Sequence, residues 1–240
     1  MRKILLGLPA LALFAASAPA FAGGTEPIEG ITISGGITGV TDYRFRGVSL
    51  TDKDLAIQPT LTISHKSGFY VGTWMSNLKD SYTYGSWETD LYAGWTGEVG
   101  AGITVDAAVL YYTYLDGHGD SDYFEPYVSA SYTIGPVTAK AGVNWAISSN
   151  ATGNEDWFYS YGQLSAAIPS TPITVTGKFG HQELGNYAHS YSDWSLGASA
   201  TFGVITAGVT YSGTNIKGIR PYAEPRLADD AVVFSLGVAF

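Results

Sequence analysis

Val232-Val-Phe234-Ser-Leu236-Gly-Val238-Ala-Phe240 decides the fold of this chain. Val232, Phe234, Leu236, Val238 and Phe240 recur at period two, and Val233, Ser235, Gly237 and Ala239 stand between them. Successive side chains of a strand point to opposite faces, so this is a strand with one face wholly apolar and the other built from small residues. It ends on an aromatic ring, where polar, frayed residues are the rule. Read alone, it fits either the closing strand of a membrane barrel or an edge strand of a soluble sandwich.

The other end of the sequence has the form of an export leader. Arg2 and Lys3 precede an apolar run over residues 4–16, and Ala20-Phe-Ala22 offers small residues around a cut after Ala22. That pattern predicts a signal peptide over 1–22 and a single domain over 23–240. The run is shorter than the roughly 20 apolar residues needed to span hydrocarbon, and no later stretch is long enough. A membrane form of the chain must therefore cross as a closed barrel.

Composition agrees. There is no cysteine, which removes disulfides and thiolate chemistry from consideration. Gly (30) and Tyr (17) are abundant, and charged residues are only 14% of the chain, where a soluble surface carries about 25–35%. The net charge of −9 becomes still more negative without Arg2 and Lys3, so nucleic acid is not an expected partner.

Alternation predicts about twelve strands, near 31–43, 54–65, 69–77, 87–96, 103–114, 123–134, 137–147, 157–168, 173–182, 193–202, 204–213 and 231–240. Connections at 66–68, 97–102, 135–136, 169–172 and 203 are short. Those at 77–86, 148–156 and 214–230 are longer and polar. Short turns alternating with long loops are the layout of an antiparallel up-and-down transmembrane barrel. Glu88, Asp90, Asp106, Glu125, Lys140, Lys178 and Asp193 all fall on the parity opposite the apolar one, so they are expected inside. A lysine should be rejected at Val109 and tolerated at Ala108. Tyr43, Trp95, Tyr132, Trp145, Tyr211 and Phe240 sit near strand ends on the outward parity, where aromatic belts form. Twelve tilted strands close to a backbone diameter of about 24 Å. Side chains, among them Tyr92, Tyr112 and Tyr127, narrow the lumen to roughly 10 Å or less.

The terminal strand resembles the closing strand of outer-membrane barrels, and that resemblance implies that Phe240 is part of the signal read by the barrel-assembly machinery. Thr41-Asp-Tyr43-Arg-Phe45-Arg-Gly47-Val-Ser49, together with Ser64-His-Lys66-Ser-Gly68-Phe-Tyr70, Trp74-Met-Ser76-Asn77 and Glu88-Thr-Asp90-Leu-Tyr92, resembles the TorF-type outer-membrane porin family of Proteobacteria. Leu50 departs from the polar residue expected there. The resemblance covers about the first third of the exported chain and implies passive transport without naming a solute. In residue terms, Asp42, Arg44 and Arg46 share one parity. They would face the lumen or its rim, either lining the pore mouth or fixing the loop that Gly47 begins.

Other chemistry is thinly supported. Asp116-Gly-His118-Gly-Asp120-Ser-Asp122 spaces its ligand types like a divalent-ion loop but lacks the glycine and terminal glutamate of a calcium hand, and reads as a solvated acidic turn. His181 and His189 near the outer rim, with Ser190 and Ser192, are the material for a nucleophile and base. Sequence neighbours on a strand point apart, however, and no Gly-x-Ser-x-Gly is present. The expectation is therefore a non-enzymatic porin without cofactor or metal, surrounded by outer-membrane lipid and passing small hydrophilic solutes or ions. Its pore-lining candidates are Arg44, Arg46, Glu88, Asp90, Asp106, Glu125, Lys140 and Lys178. Because acids outnumber lysines on that parity, a weak cation preference is expected. The alternative is a closed barrel whose loops, 79–86 and 214–230, bind a partner at the surface.

Overall fold

The structure, a computed structural model, describes residues 29–218 and 224–240. The expected leader over 1–22 lies outside them. Among the described residues there are twelve long strands: β1 (Ile31–Val40), β4 (Ala56–His65), β5 (Phe69–Ser81), β6 (Gly85–Gly100), β7 (Ile103–Thr113), β8 (Tyr123–Ile134), β9 (Val137–Ala146), β10 (Trp157–Ala167), β11 (Ile173–Glu183), β12 (Tyr191–Phe202), β13 (Ile205–Thr214) and β14 (Ala231–Ala239). A small pair, β2 (Arg44–Phe45) and β3 (Val48–Ser49), and one helical turn, α1 (Pro225–Ala228), complete the list. Each long strand is antiparallel to the next, and β1 pairs with both β4 and β14, so the sheet closes into a twelve-stranded all-β barrel.

The seam depends on a missing side chain. The main chains of Phe240 and Gly35 exchange two hydrogen bonds of 2.9 and 3.0 Å. The Phe240 ring lies over Gly35, where a Cβ would come within 2.9 Å of the ring and 3.0 Å of the Thr60 carbonyl. Any larger residue at 35 would push the ring off the seam.

The short turns at 66–68, 101–102, 135–136, 168–172 and 203–204 all lie at one end, with the start of β1 and the end of β14. The longer connections lie at the other. One expected loop differs: β5 and β6 run on as a paired hairpin to Ser81 and Gly85, leaving only residues 82–84 as the turn. The polar residues there end the apolar alternation without ending the pairing, because backbone hydrogen bonds do not require an apolar side chain. The Asp116 carboxylate braces this arm by accepting from the Ser86 amide (2.9 Å) and hydroxyl.

Parity holds around the barrel. Val109, Val128, Val143, Leu164, Phe179, Leu196, Val209 and Leu236 point outward and are exposed, as an exterior facing hydrocarbon requires. The seven strand charges point inward, and Glu88, Asp90, Glu125 and Asp193 are buried. Trp95, Tyr132 and Phe240 ring the short-turn end of the exterior, and Trp145 and Tyr211 the other. Two sequence expectations are corrected here. Tyr43 is not part of a belt, because β1 stops at Val40 and the chain turns into the barrel, burying Tyr43 and Phe45. Ala108 is not a roomy lumen position. It is buried against Gly94, where a Cβ would approach the Ala108 methyl to 2.5 Å.

Candidate functional site: the lumen and its inward hairpin

Residues 41–51 fold inward and occupy the long-loop half of the lumen. Arg46 and Gly47 form the two-residue turn between β2 and β3, with φ of +45° and +83°. Positive φ at both central residues is the geometry that matches strand twist in a tight hairpin, and Gly47 takes it without cost. The tip touches the wall: a Cβ on Gly47 would collide with the Thr214 methyl and lie 3.2 Å from the Asp193 Cβ.

Arg46 is the centre of the arrangement. Its Nη2 donates to both Glu125 oxygens at 2.8 Å, its Nη1 donates to Gln182 Oε1 at 2.5 Å, and the guanidinium lies 4.2 Å from the Tyr159 ring centroid and 4.3 Å from that of Phe45. Glu125 also accepts from Tyr112 Oη (3.1 Å) and Asn144 Nδ2 (2.9 Å). A buried ion pair is tolerable when further hydrogen bonds support it, and here Glu125 accepts from three side chains while Arg46 donates to two. Arg44 is held differently. It donates to Asp42 (2.6 Å) and to the carbonyls of Gly47 (2.9 Å) and Asp229 (2.6 Å), while Ser49 Oγ donates to the other Asp42 oxygen (2.6 Å). The Tyr43 hydroxyl points to both oxygens of Glu88 at 3.4 Å, and its ring packs on Trp74.

Aromatic side chains fill the rest of this half. Tyr112 stacks on Tyr123 with centroids 4.8 Å apart, Tyr84 meets Tyr114 edge-on, and Trp157 contacts Tyr187. α1 covers the top with Leu227 and Ala228 buried, and Asp52 ties it down through Arg226. The hydrogen bond from Arg226 and the charges of Arg226 and Lys79 hold the Asp52 carboxyl below the usual carboxylate range.

The short-turn half is unlike this. Its inner wall is made of Thr32, Ser34, Thr60, Thr174, Thr206, Ser235 and similar small residues, most of them partly accessible. Its larger polar groups are few. Asp106 accepts from the hydroxyls of Tyr70 (2.6 Å) and Tyr127 (2.9 Å), Tyr92 meets Thr62 at 2.7 Å, and Lys140, Gln163 and Lys178 stand in one row.

All eight sequence candidates thus lie within the barrel, but in two groups. Arg44, Arg46, Glu88, Asp90 and Glu125 belong to the buried hairpin and its sockets, and Asp106, Lys140 and Lys178 to the accessible half. Gln182, Tyr159 and Asn144, which complete the Arg46 socket, were missed. Their inward parity was readable, but an uncharged polar residue on that parity carries no further signal. His181 faces outward between Ser160 and Ser192, with Nδ1 2.9 Å from Ser192 Oγ, so its serine contact runs across strands. The acids of 116–122 brace backbone and hydroxyls: Asp122 accepts from Tyr111, Thr113 and the Tyr114 amide.

An apolar exterior, aromatic girdles and an inward-folded hairpin define a transmembrane β-barrel. Residues 24–240 match one family, described as "Bacterial protein of unknown function (Gcw_chp)", and the chain belongs to it. Among solved structures it is similar to the NanC porin, with 13% identity, a TM-score of 0.56, and coverage of 86% of this chain and 98% of that one. It is also similar to a structure from "Unveiling the Mechanism Behind the in-meso Crystallization of Membrane Proteins", with 10% identity, a TM-score of 0.53, and coverage of 87% and 83%. At these identities the likeness concerns the barrel fold. No curated protein matches the chain.

Proposed function

We propose that the chain is an outer-membrane porin of the TorF type, exported by a leader over residues 1–22, that passes small hydrophilic solutes or ions passively. The observation that carries this reading is the accessible, hydroxyl-lined wall of the short-turn half, which leads up to a constriction built by a separate hairpin. A barrel serving only as a scaffold has no need of a hydrophilic vestibule, since apolar packing would close it at lower cost. In this reading lipid surrounds the girdled exterior and the barrel-assembly machinery reads β14. The constriction lowers conductance and sets a size limit, and Arg46 is its anchor.

The test is conductance of the purified chain in a planar bilayer. Wild type should conduct in small steps, and Arg46→Ala, which releases the hairpin from β8, β10 and β11, should conduct several times more. Silence from both supports a second reading, a closed barrel that binds a partner at its surface. The exposed Tyr82 and Leu115 on the long-loop rim favour that reading.

A further inference from the structure

Lys140 on β9 and Lys178 on β11 both pair with Gln163 on the intervening β10, and all three point inward at one level. The row continues to Ser131 on β8 and Ser195 on β12, so five adjacent strands present Ser, Lys, Gln, Lys and Ser side by side. The two lysines are two strand spacings apart, about 10 Å, and long flexible stems allow both ammonium groups to reach a common point in front of Gln163.

These cations lack what the other inward cations have. Arg44 and Arg46 each hold a carboxylate, whereas among the described residues neither lysine lies within 4.0 Å of one. The acids nearest them make their hydrogen bonds elsewhere. Glu125 is taken by Arg46, Asp106 by the Tyr70 and Tyr127 hydroxyls, and Asp193, one pair above Ser195, accepts from the Tyr159 hydroxyl at 3.2 Å through Oδ1, while its Oδ2 acts on Lys178 only as a charge from beyond 4.0 Å. Lys178 is steadied instead by aromatic faces, with Nζ 4.9 Å from the centroids of both Tyr159 and Tyr161. Two like charges held side by side on a low-dielectric wall repel each other and attract a mobile counter-charge. The hydroxyls and the amide beside them supply neutral donors that suit an oxyanion.

We infer that Lys140 and Lys178, flanking Gln163 on the accessible lumen wall, form a binding site for the anionic group, carboxylate or phosphate, of a small hydrophilic solute. The inference deepens the porin reading and rests on it. It also reverses the selectivity expected from the count of acids, because Glu88 and Glu125 are held by the hairpin while neither lysine has a carboxylate within 4.0 Å.

Inorganic phosphate, titrated calorimetrically into the full barrel in detergent at low ionic strength, tests the site without requiring transport. Wild type should bind it saturably, and Lys140→Gln/Lys178→Gln, with folding checked by heat-modifiable gel migration, should bind at least tenfold more weakly. If the double variant does not fold, Lys140→Gln alone carries the test, with a loss of about threefold expected. Absence of saturable binding in wild type, or equal affinity in the variant, overturns the proposal. A bilayer measurement in a potassium chloride gradient separates the two readings. Conductance with chloride preference that the double variant loses supports both, and conductance with cation preference unchanged in the variant removes the site but leaves the porin. Phosphate binding without conductance keeps the site and removes the porin.

Discussion

The two halves of the lumen are made by the same twelve strands and differ in almost everything else. Toward the long loops the interior is a core: aromatic rings in contact, an arginine bonded to Glu125 and Gln182, and a hairpin inserted between the walls. Toward the short turns the interior is a hydrophilic surface of small side chains, with two lysines that have no acid of their own. Strand number fixes the diameter of both halves equally. The difference therefore lies in side-chain volume and in eleven residues of loop, which means that a barrel's width says little about whether it is open.

The largest expected effect lies in the packed half. Glu125→Ala leaves Arg46 buried without its counter-charge and should cost about 3–5 kcal/mol, read as a fall in the urea midpoint of the detergent-folded barrel. Asp106→Ala, in the accessible half, should cost clearly less, since its partners are hydroxyls near water. Equal losses would abolish the distinction between the halves.

Next comes the contrast across the wall. Val209→Lys puts an ammonium on the apolar exterior at about 2–4 kcal/mol if near the bilayer midplane, whereas Thr210→Lys enters the lumen among small residues and should fold normally. Folding yield into lipid vesicles measures both. A normal yield for Val209→Lys would mean that the face is not in hydrocarbon.

Removing Phe240 deletes two backbone hydrogen bonds across the seam and uncovers Gly35, for an expected loss of about 1–3 kcal/mol and slower assembly. Its readout is the rate at which the heat-modifiable band appears, and an unchanged rate would show that the seam closes without it. The smallest effect is at the lid. Because Asp52 is held below the usual carboxylate range, its stabilisation is complete at neutral pH, above its unfolded value, and is lost only as pH falls through the depressed folded value. Acidification from pH 6 to 3 should expose residues near α1 to an acid-active protease while barrel circular dichroism stays constant. Cleavage already at pH 6 would contradict that.

These contrasts follow the boundary between what the sequence shows and what it conceals. All twelve strands were readable, since a wall with lipid on one side and water or a core on the other imposes period two on every strand, and charges confirm the side. The hairpin was not. Asp42-Tyr43-Arg44-Phe45-Arg46 alternates like the strand before it, so the pattern extends the strand to residue 43 and sends Tyr43 outward. An apolar ring needs only to escape water, and a packed lumen serves that need as well as lipid. Three charges within five residues beside a Gly47 turn were the available sign that the segment leaves the wall. The sockets that receive it come from β8, β10 and β11, and such pairings leave no trace in local periodicity.

That separation has a consequence for how the molecule is made. Arg46 is 79 residues from Glu125 and 136 from Gln182, yet it follows directly on β1, the strand that closes the barrel against β14. The cork is threaded at the front of the chain, while the neck that grips it is woven later. Docking of the hairpin therefore waits on strands that come later in the chain: the side chains that grip Arg46 are together only once β8, β10 and β11 stand together in the wall. The front of the chain thus carries a stopper that only the finished wall can hold.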